Sequence, residues 1–343
     1  MKKLLNTLYV TSQGSYLHRD GETVEIRQDK ETRLKVPIHT LGGIVCFGQV
    51  MCSPPLMGLC GEQGIPITFL SEYGRFWGRV QGPVQGNVLL RRAQYRATDD
   101  PEHTAAIARA IVMAKLANNR AVLLRAARDR PECSEAEALR TAGMRLGQIV
   151  RRLERIDTVD SIRGCEGEGS RIYFESFNLL ITNPAEEFTF EKRTRRPPLD
   201  RVNALLSFLY TLLTHDCVGA LEGVGLDPAV GYLHRERPGR PSLALDLMEE
   251  LRPVLGDRVA LSLINRKQLK PTQFKVTESG AVHMDDDARK TLLVTYQERK
   301  QEEIVHPYLN EKISLGLLPH AQALLLARHL RGDIDGYPPF LWR

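Results

Sequence analysis

Hydrophobic positions change their rhythm once along this chain. Up to residue 86 they alternate, or gather in short β-branched runs. Asn6–Thr11 alternates, and Asp20-Gly21 is a turn signal ahead of Thr23–Arg27. Val36–Phe47 and Ile65–Leu70 are strand-like runs punctuated by Gly42-Gly43 and Gly74, and Phe76-Trp77 adds an aromatic strand. The stretch Val36–Gly61 carries no formal charge, but its three prolines and five glycines make it strands and turns rather than a bilayer span.

From Asn87 onward the apolar spacing is helical. Asn87–Ala97 is a short basic amphipathic connector. Asp100-Pro101 opens a long helix to about Arg128, since Asp caps and Pro suits the first helical position. Further helices are expected from Ser134 to Ile156 and over Asp160–Leu180, Pro198–Leu221, Ser242–Leu251, Pro253–Ile264, Asp285–Glu302 and Pro319–Leu330. Pro198–Leu221 is the most apolar and is expected at the centre of the core; its run Val202–Thr214 is too short to cross a bilayer. The fold class is therefore α+β. A small, β-sandwich-like amino-terminal domain (residues 1–86) precedes a connector helix (87–99) and a larger all-helical domain (100–331). The tail, residues 332–343, carries aromatic side chains and is expected to dock.

Composition narrows the picture little. The 343 residues are 42% hydrophobic and carry a formal charge of +5. Local charge says more: Lys192-Arg193-Thr194-Arg195-Arg196, then Arg91, Arg92 and Arg96 around Tyr95, then Arg266, Lys267, Lys270 and Lys275. Each cluster alone is an ordinary solvated surface; three together favour phosphate contacts. The six cysteines show no C-x-x-C spacing, which argues against a structural zinc and fits free thiols in a reducing cytoplasm. No signal peptide is seen. A phosphate-binding Gly-rich motif, a dinucleotide fingerprint and a Gly-x-Ser-x-Gly elbow are all missing, which disfavours ATP, NAD and serine-hydrolase chemistry.

Candidate chemistry lies in three separated places: Glu166, His234 and Glu249. One imidazole with two or three carboxylates is a ligand set for Mg²⁺ or Mn²⁺, and such an ion suits phosphodiester chemistry. On a helix Arg163, Glu166, Ser170 and Tyr173 share one polar stripe, as at the edge of a cleft. Gly164, Gly167 and Gly169 make sense there if a backbone or ligand comes close. Asp246 and Glu249 lie i, i+3 on one helical face, with His234 on the loop that leads to them. The spacing leaves two bland readings open: Glu166 as a surface partner of Arg163, and Asp246 and Glu249 as an exposed acidic face.

These stretches carry a resemblance. Gly164-Cys165-Glu166-Gly167 with Tyr173-Phe174, Pro197-Pro198 with Asn203–Ser207, Gly231-Tyr232-Leu233-His234, and Ser242–Pro253 resemble the CRISPR-associated spacer-acquisition integrases, the Cas protein numbered one. Ile44–Gly48 and Gly64–Arg79 look like that family's β-domain, and Tyr337-Pro338-Pro339-Phe340 resembles members from multi-subunit (type I) systems. The resemblance implies that the β-domain dimerises and that the helical domain is catalytic. It implies Glu166, His234 and Glu249 as metal ligands, with Asp246 as an additional acid in a supporting role or at a second metal. Glu249 stands where some members have Asp. The implied reaction inserts short duplex DNA into a CRISPR array, a 3′-hydroxyl attacking a phosphodiester at the repeat boundary; water in its place would make the site a nuclease. Double-stranded DNA (protospacer and repeat) is the implied substrate. The implied partners are a second copy of the chain, a small ferredoxin-like subunit (the Cas protein numbered two) and an end-trimming nuclease. Arg163, Tyr173, Arg193, Arg195, Arg196, Arg91 and Arg92 are the expected DNA contacts.

Overall fold

The protein is described by a computed structural model covering residues 5–83, 88–182 and 188–342. The amino-terminal elements are β1 (Asn6–Val10), β2 (Tyr16–Asp20), β3 (Thr23–Gln28), β4 (Glu31–Pro37), β5 (Leu41–Phe47), β6 (Met51–Cys52), α1 (Pro54–Glu62), β7 (Ile67–Leu70) and β8 (Phe76–Val80). They form two four-stranded sheets, β1-β5-β7-β8 and β4-β3-β2-β6. Alternation decides what each strand contributes. Val10, Ile44 and Cys46 from the first sheet meet Leu17, Val24 and Ile26 from the second in one core, closed by Leu56 and Leu59 of α1.

Three of these elements were absent from the sequence reading. Strands β2 and β4 are mostly polar, and β4 is exposed along almost its whole length. Helix α1 stands where turns were expected. Ser53 caps it by accepting from the Leu56 amide, and Pro54 and Pro55 occupy its first turn, where the missing N–H groups cost nothing.

The rest of the chain comprises α2 (Val88–Asp99), α3 (Pro101–Asp129), α4 (Glu135–Leu153), α5 (Val159–Glu175), α6 (Arg201–Val224), α7 (Ser242–Leu251), α8 (Arg258–Asn265), β9 (Phe274–Val276), β10 (Val282–Met284), α9 (Asp286–Gln301), β11 (Glu303–Val305), β12 (Lys312–Ser314) and α10 (Leu318–Leu330). The expected boundary at residues 86–87 falls outside the described residues. Asp100 caps α3 through the Glu102 and His103 amides, with Pro101 next, as its sequence implies. The domain is mostly helical rather than wholly so, because β9–β10 and β11–β12 form two short antiparallel ribbons. Helix α6 runs past the expected Leu221. Its length and composition would suffice to cross a bilayer, but Val202, Leu205, Leu206, Leu209 and Leu213 are buried at the centre of the helical core.

Two packing details build the site. Helix α3 packs against both α5 and α7. A Cβ on Gly169 of α5 would lie 2.3 Å from Leu116 of α3, so this glycine sets the close approach of the two helices. Gly164 and Gly167 face open space. Behind α7 the tail is docked: Tyr337 and Phe340 are buried, and Asn118 of α3 donates to the carbonyls of Phe340 (2.9 Å) and Glu250 (2.8 Å). The β-domain joins the helical core through Phe47, which stacks on Phe208 at 5.6 Å.

Candidate active site

Glu166, on α5, is 27% exposed at its side chain and accepts a hydrogen bond from Ser170, one turn on, at 2.9 Å. Glu249, on α7, is 2% exposed. Between them stands Lys115 of α3, its ammonium paired with Glu166 and 2.7 Å from Glu249 Oε2. Arg252 adds a second cation, 2.9 Å from Glu249 Oε1. Burial by itself would raise the Glu249 carboxyl, but Arg252, Lys115 and His234 outweigh it and hold the pKa at about 2. Glu249 is therefore a buried carboxylate kept ionised.

His234 reaches this pair from the loop before α7. Its Nδ1 lies 2.7 Å from Asp246 Oδ1, and its Nε2 faces Glu249 Oε1 at 3.8 Å. A carboxylate accepts, so Nδ1 donates to Asp246 and Nε2 is the ring nitrogen that faces Glu249. Asp246 does more than hold the ring. It also accepts from the amides of Tyr232 (2.6 Å), Leu233 (2.9 Å) and His234 (2.9 Å). With four donors its lone pairs are spent, so Asp246 orients the imidazole and has nothing left for an ion of its own. The two acids thus bracket the imidazole instead of both pointing at one centre. Gly231 is needed here, because a Cβ would lie 2.8 Å from Asp246 Oδ2 and 2.8 Å from the Ser242 backbone. Arg163 ties the loop to α5, donating to the Leu233 carbonyl at 2.6 Å and to Asp160 at 2.7 Å.

Among the described residues no three His, Cys, Asp or Glu side chains stand in metal-holding geometry. The chemistry still fits a hard divalent ion. Glu166 and Glu249 offer oxygens, His234 offers a nitrogen whose tautomer is fixed from behind, and Glu249 Oε2 is buried without a hydrogen bond despite its nearness to Lys115.

The expected DNA contacts divide. Tyr173 is corrected: it is 1% exposed, with its hydroxyl 3.0 Å from buried Asp257. Its stripe leaves the cleft after Ser170 and runs into the core. Arg193 is held inside by Asn203 (2.7 Å), Ser207 (3.1 Å) and the Tyr210 ring, so it braces α6. Arg163 is spent on the His234 loop. Arg92, Arg195 and Arg196 are exposed and Arg91 is half-buried. Lys115 was missed altogether, although it had a signal. It takes a core position on α3, following Ala108, Ile111 and Val112 at helical spacing.

A two-sheet β-domain joined to a helical domain, with acids and an imidazole gathered where three helices meet, is the architecture of a class of CRISPR-associated proteins. The family model described as CRISPR associated protein Cas1 matches residues 8–298, and the chain belongs to that family. It is 57% identical over 343 residues to "CRISPR-associated endonuclease Cas1 1" of Chlorobaculum tepidum, covering 100% of both chains. A Cas4 exonuclease/Cas1 endonuclease fusion from Geobacter sulfurreducens is 36% identical over 339 residues, 98% of this chain and 60% of the fusion. The Cas1 protein TM1797 of Thermotoga maritima has the same fold, with a TM-score of 0.82 at 25% identity over 98% of this chain and 100% of that one. These relatives place the chain among CRISPR-associated nucleases.

Proposed function

We propose that this chain is a divalent-metal-dependent DNA strand transferase and endonuclease that inserts short duplex DNA into a CRISPR array. The observation that carries the reading is that Glu166 and Glu249, from separate helices, meet on the Lys115 ammonium while His234 faces the other oxygen of Glu249 at 3.8 Å. Glu166, Glu249 and His234 would hold Mg²⁺ or Mn²⁺. Such an ion supplies Lewis acidity at the phosphodiester and lowers the pKa of an attacking hydroxyl.

The remaining work falls to the chain itself. Asp246 fixes the imidazole tautomer, Arg163 fixes the loop, and Arg252 keeps Glu249 ionised inside a dry wall. A 3′-hydroxyl of the incoming duplex attacks phosphorus, one P–O bond forms, and the bond to the departing 3′-oxygen breaks. One phosphodiester replaces another, so no nucleotide cofactor is consumed. With water as nucleophile the same geometry hydrolyses DNA. The exposed Arg92, Arg195 and Arg196 supply phosphate contacts.

The family resemblance supports the following assembly. Two copies pair through the β-domain, which leaves Met51 and Trp77 exposed, and dimers flank the small ferredoxin-like partner subunit. A separate exonuclease trims the ends, in keeping with the Cas4 fusion among the relatives. The described cysteines are all free thiols, which suits the reducing cytoplasm.

The test is strand transfer of a short duplex with 3′-hydroxyl ends into supercoiled plasmid bearing a CRISPR repeat. It is run with Mn²⁺ or Mg²⁺ and the partner subunit, comparing wild type, Glu166→Ala and His234→Ala. Joined products from wild type alone, removed by EDTA, are expected. No joining, with all three proteins binding DNA equally, would reduce the chain to a DNA-binding scaffold.

A further inference from the structure

Lys115 is the odd member of the site. Its side chain is 6% exposed, and its only partners among the described residues are the two carboxylates expected to hold an ion. Around those acids the charge already balances: Glu166 and Glu249 against Lys115 and Arg252. A divalent ion arriving on both carboxylates would leave a buried excess of positive charge, which a protein interior tolerates poorly. One cation must leave. Arg252 is packed over the Tyr210 ring at 4.7 Å, whereas Lys115 ends a flexible four-carbon stem and is held by nothing else.

We propose that Lys115 is the resident counter-ion of the acid pair, and that loading a divalent ion displaces its ammonium from Glu166 and Glu249. The inference rests on the metal-dependent reading above. Before loading, Lys115 bridges two converging carboxylates and holds them close together. On loading it is the competitor that the ion must beat, so it sets how much free metal the site requires.

The two roles predict effects of opposite sign, which a merely structural ion pair would not. Mn²⁺ binding to the full chain is measured by calorimetry and by electron paramagnetic resonance, alongside melting curves with and without metal. The proteins are wild type, Lys115→Met, Lys115→Gln and Lys115→Arg. The neutral variants should melt lower without metal yet bind Mn²⁺ at least about tenfold tighter, the change produced by removing about 1.4 kcal/mol of competition. Lys115→Arg, which keeps the charge, should bind no tighter than wild type. Should Lys115→Met fail to fold, Lys115→Gln retains a polar end and carries the comparison. Wild type that binds Mn²⁺ while the neutral variants bind equally or more weakly would overturn the counter-ion role alone. Wild type that binds no Mn²⁺ at millimolar concentration would overturn both this role and the metal-dependent reading.

Discussion

Glu249 and Glu250 are neighbours on α7, both buried, and their surroundings give them opposite characters. Glu249 faces the cleft and meets two cations, which hold its pKa at about 2. Glu250 faces the docked tail and, among the described residues, pairs with no cation. Its oxygens accept from the Tyr337 hydroxyl, the Phe340 amide (2.5 Å) and Gln322 (3.2 Å), and burial pushes its pKa up to about 7 against those hydrogen bonds. Asp257 repeats the second pattern: burial lifts it to about 6, although Tyr210 (2.5 Å) and Tyr173 (3.0 Å) both donate to it. The same side chain in the same core is thus a charged tool or a structural acceptor, according to whether its partners are cations or neutral donors. A buried acid as such marks no active site, and neither does ionisation alone, since Glu25 of the β-domain is buried and paired with Arg27 and Lys35; what distinguishes Glu249 is an ionised oxygen beside other candidate ligands.

The largest break in that contrast comes from Glu249→Gln. It leaves Lys115 and Arg252 facing a neutral group, and losing one member of a buried ion pair costs about 3–5 kcal/mol. Melting should drop accordingly, and strand transfer should fall below detection because a proposed metal ligand is lost. Retained activity in a quantitative joining assay would remove Glu249 from the site.

Asp257 offers a test through pH. Its folded pKa lies above the unfolded 3.8, so between pH 3.8 and about 6 the folded state keeps a proton that the unfolded state has released. Its contribution is favourable below that window, declines as pH rises through it, and stays flat above it. The shift corresponds to about 3 kcal/mol as an order of magnitude. Urea unfolding of wild type and Asp257→Asn at several pH values isolates it, since the difference between the two curves should change across that window and then level off. A constant difference would mean that Asp257 does not titrate there.

Asp246→Asn comes next. An amide cannot accept from three backbone N–H groups and the imidazole together, so the His234 loop loses its anchor. Metal affinity should weaken by about 10- to 100-fold, with folding largely kept. Unchanged Mn²⁺ binding would show that the ring needs no such support.

How far all this was legible in the sequence depends on the reach of each contact. One helical period relates Glu166, Asp246 and Glu249 to their neighbours, but that spacing left surface readings open, and their roles came from the family resemblance. The cap at Asp100 is equally local, whereas the Asp200 cap went unread and α6 was expected to start at Pro198. Lys115 was invisible in its role, since its partners lie 51 and 134 residues away in sequence. Tyr173 misled for the same reason: periodicity places it on the Glu166 face, and only packing against Asp257 shows that this face sinks into the core. Strand β4 carries too little buried surface to impose a pattern, and α1 hid behind prolines that read as breakers but stand in its first turn.

The smallest expected effect tests the other side of α7. Glu250→Gln keeps one acceptor oxygen for the Phe340 amide, and its NH₂ can donate to the Tyr337 hydroxyl, which then serves as acceptor; burial already works against the charge it removes, so stability should change by less than about 1 kcal/mol. Strand transfer should survive. Glu250→Ala instead leaves a buried hydroxyl and a buried amide unsatisfied, at about 1–3 kcal/mol for each such group. The tail should then loosen, read as faster proteolytic clipping near Tyr337. Because Asn118 of α3 binds both the Glu250 carbonyl and the tail, a loosened tail should also blunt activity by shifting α3, and with it Lys115. If Gln proves as damaging as Ala, the charge of Glu250 matters after all, and the two glutamates are less unlike than their partners imply.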